Sequence, residues 1–152
     1  MCHPCRVLHL RPAGVRDLAE ILPRTLALNS HEGIAVDPPA LTAALERLLG
    51  DPAIGGVWLI ERDGVTIGYA IVTYGYDLEF GGRDAFLTEL WIDREVRGNG
   101  AGGAALALLD PELRARGVHA LHLQVRPDNP AQRLYRRAGF TASPRITMTR
   151  RF

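Results

Sequence analysis

The chain has 152 residues, of which 47% are hydrophobic and 23% charged, and its formal net charge is +1. That length and apolar content predict one globular domain over residues 1–152, with a core of its own, rather than two domains. The near balance of charge gives no global field aimed at nucleic acid or a membrane surface, no apolar run is long enough to cross a bilayer, and no secretory pattern opens the chain, so a cytoplasmic location is expected.

The opening "MCHPC" sets Cys2 and Cys5 at C-x-x-C spacing around His3. A tetrahedral zinc site would lack a ligand here, and strand-like residues follow where a redox pair would need a helix. The expectation is unpaired thiols at a terminus and no metal. "RVLHLRPA" (6–13) alternates as a first strand. "GVRDLAEILPRTLALN" (14–29) carries Val15, Leu18, Ile21, Leu22 and Leu26 at helical spacing, with Pro23 expected to kink or divide it. "SHEGIAVD" (30–37) reads as a loop. "PPALTAALERLLGD" (38–51) reads as a second helix, with Asp37 as cap and prolines in the first turn.

"GVWLIER" (56–62), the turn Asp63-Gly64 and "VTIGYAIVTYGYD" (65–77) read as a hairpin. "EFGGRD" (79–84) is the next turn and "AFLTELWID" (85–93) a further strand. A helix is expected over about 100–116, kinked or broken near Leu109 because Pro111 falls inside it. Then come a strand "HALHLQV" (119–125), a helix "PAQRLYRRA" (130–138) and a last strand region "ITMTRRF" (146–152). The order β-α-α-β-β-β-α-β-α-β predicts antiparallel strands followed by one right-handed parallel β-α-β unit, hence a mixed sheet with helices packed on it.

The chemistry concentrates in "ELWIDREVRGNGAGGAALALL" (89–109). Gly98, Gly100 and Gly103 spell G-x-G-x-x-G, and Arg97, Gly100 and Gly102 spell R-x-x-G-x-G. Either pattern opens a helix whose first N–H groups lack partners, so a pyrophosphate is the natural guest. The dinucleotide reading needs an acidic residue about 20 residues on, to hold a ribose. "HALHLQV" offers none, and the chain ends before further strand-helix units could follow. A Walker loop is excluded because no Lys-Ser/Thr pair follows the glycines.

"LTELWIDREVRGNGAGGAAL" (87–106) with "LHLQVRPDNPAQRLYRRAGF" (121–140) resembles the acyl-CoA-binding half of the GNAT superfamily of N-acetyltransferases. The family's R/Q-x-x-G-x-G/A is met by Arg97, Gly100 and Gly102, and its Asn, Tyr and Gly-Phe by Asn129, Tyr135, Gly139 and Phe140. The front half matches only in element order. The resemblance implies an α/β (α+β) fold: a mixed, mostly antiparallel sheet with a splayed central parallel strand pair, flanked by about four helices.

The resemblance also implies direct acetyl transfer from acetyl-CoA, as co-substrate, to a primary amine of a small molecule or protein, with no metal. By the same resemblance Leu90, Trp91 and Ile92 present backbone groups to the pantetheine arm. Arg97, Gly98, Asn99, Gly100, Ala101, Gly102 and Gly103 cradle the pyrophosphate, and Asn129 bonds the arm. Tyr135 becomes the general acid at the CoA sulfur; the residue-level alternative is a core aromatic on an amphipathic helix. Asn129 is also a natural helix cap before Pro130.

Glu89 occupies a position where the family often has a carboxylate, and reads equally as the base or as a solvated strand residue. Simple alternation puts it on one face with Leu87 and Trp91. Asp77 and Glu79 are alternatives, and with Tyr74 and Tyr76 they suggest an anionic, aromatic entry for a cationic amine. His119 and His122 read as packing or surface residues. Two rival functions stay open: a non-catalytic acyl-CoA-binding module and a small dinucleotide-binding domain. Family members are often homodimers, though no segment marks an interface.

Overall fold

A computed structural model describes residues 7–152; Cys2, His3 and Cys5 lie outside the described residues. Five strands form one sheet in chain order: β1 (Leu8–Pro12), β2 (Gly55–Arg62), β3 (Val65–Asp77), β4 (Gly82–Ile92) and β5 (Ala120–His122). Three antiparallel pairings join β1 to β4, and a single parallel pairing joins β4 to β5. Four helices cover the sheet: α1 (Leu18–His31), α2 (Pro38–Gly50), α3 (Ala101–Ala115) and α4 (Ala131–Arg137). This is the mixed, mostly antiparallel architecture the sequence predicts.

Local chemistry explains much of it. Asp63 (φ 53°) and Gly64 (φ 77°) both take left-handed dihedrals, so a two-residue turn closes the β2–β3 hairpin with Arg62 opposite Val65. Asp37 caps α2 by accepting from the Ala40 N–H at 3.2 Å, ahead of two prolines in the first turn.

Helix α3 and one face of the sheet enclose Trp58, Val72, Ala85, Leu87, Leu106, Leu109 and Leu113. Helices α1 and α2 enclose Ile21, Leu45, Val57, Leu59, Tyr69, Ile71 and Trp91 on the other.

Four expectations are corrected. Helix α1 runs through Pro23 and α3 runs unbroken through Pro111. Both prolines lie on exposed helix faces, and the carbonyls they leave unbonded belong to Ala19 and Ala107, which are also exposed. Solvent can reach those residues, while the buried stripe of α3 continues through Leu106, Leu109 and Leu113. The strand expected over 119–125 shortens to Ala120–His122, because its pairing with β4 stops at Phe86.

The last strand is absent: nothing after α4 is assigned to a strand, and Ile146 and Met148 are exposed. A three-residue neighbour offers too short a ladder to organise that segment. Finally, the β3–β4 register slips between Ile71 and Val72, which face Glu89 and Leu87, so Thr88 is a bulge residue. One inserted residue reverses the alternation. Leu87 packs under α3, whereas Glu89 and Trp91 face α1 and α2.

Candidate active site

The parallel pair β4–β5 holds only at Asp84, Ala85 and Phe86, opposite Ala120, Leu121 and His122. Beyond Phe86, strand β4 continues to Ile92 with no partner on that side among the described residues. Which groups it exposes follows from the ladder on its other side. The Asp93 N–H donates to the Ile67 carbonyl at 2.8 Å, and Trp91 is registered with Tyr69. Antiparallel alternation therefore turns Trp91's backbone toward β3 and those of Leu90 and Ile92 toward the open gap. The side chain of Trp91 is buried against α1, with the His31 ring 6.4 Å away edge-on.

The end of β4 is pinned. Arg24 on α1 donates through Nε and Nη2 to Asp93 at 2.9 and 2.7 Å, and Trp91 Nε1 donates to the same carboxylate at 3.1 Å. A bidentate guanidinium–carboxylate pair fixes orientation as well as distance, so the turn that follows starts from a defined point. In that turn Gly98 (φ 79°) and Gly100 (φ 76°) adopt left-handed dihedrals, and a Cβ on either would project into open space. Gly100 is the N-cap of α3, and the Ala104 N–H is bonded to its carbonyl at 3.0 Å. The N–H groups of Ala101, Gly102 and Gly103 thus stand ahead of the helical ladder. Asn99 lies exposed between the two strained glycines.

Gly102 and Gly103 have a packing reason as well. A Cβ would sit 3.1 Å from the Leu134 side chain at Gly102 and 3.5 Å from it at Gly103, so their bareness lets α4 approach α3. Arg97 does not point into the turn. Its Nε donates to the Ile92 carbonyl at 2.7 Å and its guanidinium lies 4.3 Å from the Trp91 ring centroid.

Helix α4 carries Tyr135. Asn129 caps its start, Oδ1 accepting from the Ala131 N–H at 2.9 Å. Its end is a Schellman closure: Phe140 N–H to Tyr135 carbonyl at 3.0 Å, Gly139 N–H to Arg136 carbonyl at 3.1 Å, and Gly139 at φ 95°. The accompanying contact is between the Tyr135 and Phe140 rings, 5.9 Å apart and nearly perpendicular. The spacing Tyr-x-x-x-Gly-Phe is therefore what fixes the phenol's position. Burial pushes the Tyr135 hydroxyl above its ordinary pKa, and the Glu32 carboxylate at the end of α1 adds to the rise.

Glu89 lies partly buried on the face opposite Leu87. Its Oε2 accepts from the Tyr69 hydroxyl at 2.6 Å. Burial raises the Glu89 carboxyl above the usual range, and the Tyr69 hydrogen bond opposes some of that rise. Tyr69 itself is fully buried and its hydroxyl is held far from ionising, first by burial and then by the adjoining carboxylate. Sequence reading had no place for Tyr69, Thr88, Arg24 or Asp93. The signal for Tyr69 was a hydroxyl inside the apolar run "GYAIV", since a buried phenol requires a partner.

The expected acidic entry divides. Asp77 and Glu79 line a groove of about 1110 Å³ along the outer edge of β5, together with Phe80, Asp84, Phe86 and His122. Glu79 also pairs with Arg145 at 2.6 Å. His122 lies 3.3 Å from Asp84, out of line for a hydrogen bond, with its ring between those of Phe80 and Phe86. His119 Nδ1 contacts the Phe80 carbonyl at 3.0 Å. Tyr76 is exposed, and Tyr74 belongs to a different pocket. Among the described residues no cluster of His, Cys, Asp and Glu is placed to hold a metal, and no helix is long and apolar enough to cross a membrane.

The sequence matches the model of the Acetyltransferase (GNAT) family over residues 22–140. An integron cassette protein from the mobile metagenome of Cole Harbour Salt Marsh shares 29% identity and superposes with a TM-score of 0.82, over 94% of this chain and 90% of that one. A predicted acetyltransferase from Clostridium acetobutylicum, solved with acetyl-CoA, superposes at 0.79 with 19% identity, over 95% and 96%. An aminoglycoside acetyltransferase from an uncultured soil metagenomic sample, in complex with sisomicin, superposes at 0.75 with 14% identity, over 95% of each chain. The latter two likenesses show a shared fold. No curated protein matches the sequence.

Proposed function

Because the chain belongs to the GNAT acetyltransferase family, we propose that it transfers the acetyl group of acetyl-CoA directly to a primary amine held beside Glu89. The observation that carries this reading is the gap itself: β4 loses its parallel partner after Phe86 and turns outward the backbone groups of Leu90 and the N–H of Ile92, whose carbonyl accepts from Arg97. An extended amide-bearing arm can complete that edge as a strand would. The residues present suit such a ligand, since the open glycine turn and the unpaired N–H groups of Ala101, Gly102 and Gly103 offer a pyrophosphate site at the head of α3. Gly98, Asn99 and Gly100 shape its rim; Arg97 would have to leave the Ile92 carbonyl and the Trp91 ring to add its cation. Acetyl-CoA supplies the activated acyl group.

The chain's own groups then handle two protons. Glu89, ionised, takes a proton from the incoming ammonium directly or through water. Its raised pKa makes it a better base than an exposed carboxylate, and Tyr69 fixes its orientation. Tyr135 keeps its hydroxyl proton at neutral pH and donates it to the departing sulfur. Asn129 sets the start of the helix that bears Tyr135 and bonds the arm through its remaining amide. The amine is a small molecule or a protein amine.

The test is release of free CoA thiol from acetyl-CoA across a panel of polyamines, aminoglycosides, amino acids and peptides. Turnover on at least one amine is expected, with Tyr135→Phe reducing it about 10²-fold or more while CoA affinity persists. CoA binding without turnover on any amine would instead support an acyl-CoA-binding module.

A further inference from the structure

A second pocket, of about 340 Å³, shares no residue with the β4–β5 gap or the glycine turn. It exists because the first strand is short. β1 stops at Pro12, opposite Trp58, while β2 begins three residues earlier at Gly55. The Ala13 N–H still reaches the Val57 carbonyl at 2.8 Å. Two residues further out, Gly55 turns its backbone to the same edge, where no strand remains to cover it.

The floor is apolar. Leu48 and Leu49 from α2 pack with Val57 on one side of the uncovered strand edge, and Trp58 lines the pocket from the other. Gly56 is what lets the indole fold back along its own strand, since a Cβ at that position would lie 2.4 Å from the ring. Trp58 is almost wholly buried, and its Nε1 has no acceptor among the described residues.

One wall is cationic. Arg83 lies over the Tyr74 ring at 4.8 Å, and Arg116 over the Trp58 ring at 5.1 Å. The two residues meet: Arg83 Nη1 donates to the Arg116 carbonyl at 3.4 Å. Only one carboxylate answers them. Glu112 pairs with Arg116 at 2.7 Å, and Arg83 has no carboxylate within ion-pair distance among the described residues. Tyr74, Arg83 and Arg116 line the pocket together, with the Arg83 guanidinium stacked on the Tyr74 ring.

We propose that this pocket binds a small organic carboxylate with an apolar, single-ring-sized body, its anionic end held by Arg83 and Arg116 beside Tyr74 and its body against Leu48 and Leu49, next to the buried Trp58 indole. Guanidinium forks match a carboxylate. The aromatic and aliphatic floor rewards an apolar body. The volume lies at the small end of ligand pockets, which run from about 300 to 1,000 Å³. An ammonium ligand meets two like charges here.

The chain has two tryptophans, so the indole N–H signals of nitrogen-labelled protein separate this pocket from the gap. Benzoate, benzamide, benzylamine and inorganic phosphate are titrated in turn. Benzoate is expected to move the Trp58 signal saturably and to leave that of Trp91 in place. Benzamide, benzylamine and phosphate are each expected to bind at least tenfold more weakly. Arg83→Gln, on an exposed side chain, is expected to weaken benzoate at least tenfold; the benzamide comparison needs no variant. The inference fails if benzoate gives no saturable shift, if benzamide, benzylamine or phosphate matches it, or if folded Arg83→Gln binds benzoate unchanged. Acetyl transfer is not read at any point, so the result stands apart from the proposed reaction.

Discussion

Glu89 holds a carboxylate partly out of water, with one hydroxyl donor at 2.6 Å. Its protonation therefore links rate and stability with opposite preferences. As a base it must be ionised, so the rate should rise with pH through its raised pKa and level off above it. Glu89→Gln should lower turnover about 10²-fold or more and abolish that acid limb. A raised carboxyl pKa also means that the folded chain holds the proton more tightly than the unfolded one. Its contribution to stability is present below the unfolded value and lost as pH rises through the folded one. Glu89→Gln should thus be more stable than the parent at neutral pH, with the difference closing in acid, as thermal melts at the two pH values can check. Loss of turnover without either pH effect would remove Glu89 from the role of base.

At the scale of elements, α3 is asked to do three things along its length. It begins on a left-handed glycine, admits Leu134 of α4 against Gly102 and Gly103, and continues through Pro111. The two inner glycines differ measurably. Gly103→Ala places a methyl at ordinary contact distance and gains helix propensity, so it should be neutral or stabilising by up to about 1 kcal/mol. Gly102→Ala places one at 3.1 Å, so Leu134 must shift, and urea unfolding should find it the less stable of the pair. Pro111→Ala restores a helical N–H opposite the Ala107 carbonyl and should stabilise by about 1–3 kcal/mol after the loss of proline's restraint on the unfolded chain. A destabilised Pro111→Ala would mean that the ring packs against something the exposed face does not show.

The same elements mark where the sequence is readable. Asp63-Gly64 and the Asp37 cap are local chemistry, and each appears where the residues predict it. Alternation along β4 fails at Thr88, because a bulge is one residue of register that only the neighbouring strand reveals. The two prolines mislead because the pattern shows their position in a helix but not that their orphaned carbonyls belong to exposed residues. "ITMTRRF" has strand character without a ladder to join. In the candidate site, spacing marks the glycine turn and the family resemblance marks Tyr135. The direction of Arg97 toward Trp91, the Tyr69–Glu89 bond and the choice of Leu90 and Ile92 as open-edge residues all depend on tertiary register.

Across the whole molecule, the short β5, the bulge in β4 and the Arg24–Asp93 clamp act together. They leave β4 without a parallel neighbour beyond Phe86 and hold the glycine turn at the end of the opening. We propose that this opening receives the arm and pyrophosphate of acetyl-CoA. The most direct measurement is an amide NMR titration of the full chain with acetyl-CoA, with NAD as the comparison. The largest shifts are expected at Leu90, Ile92 and Gly98–Gly103, and NAD should leave those signals in place. Shifts confined to the groove around Phe80 and His122, or the same amides moving equally with NAD, would contradict the account.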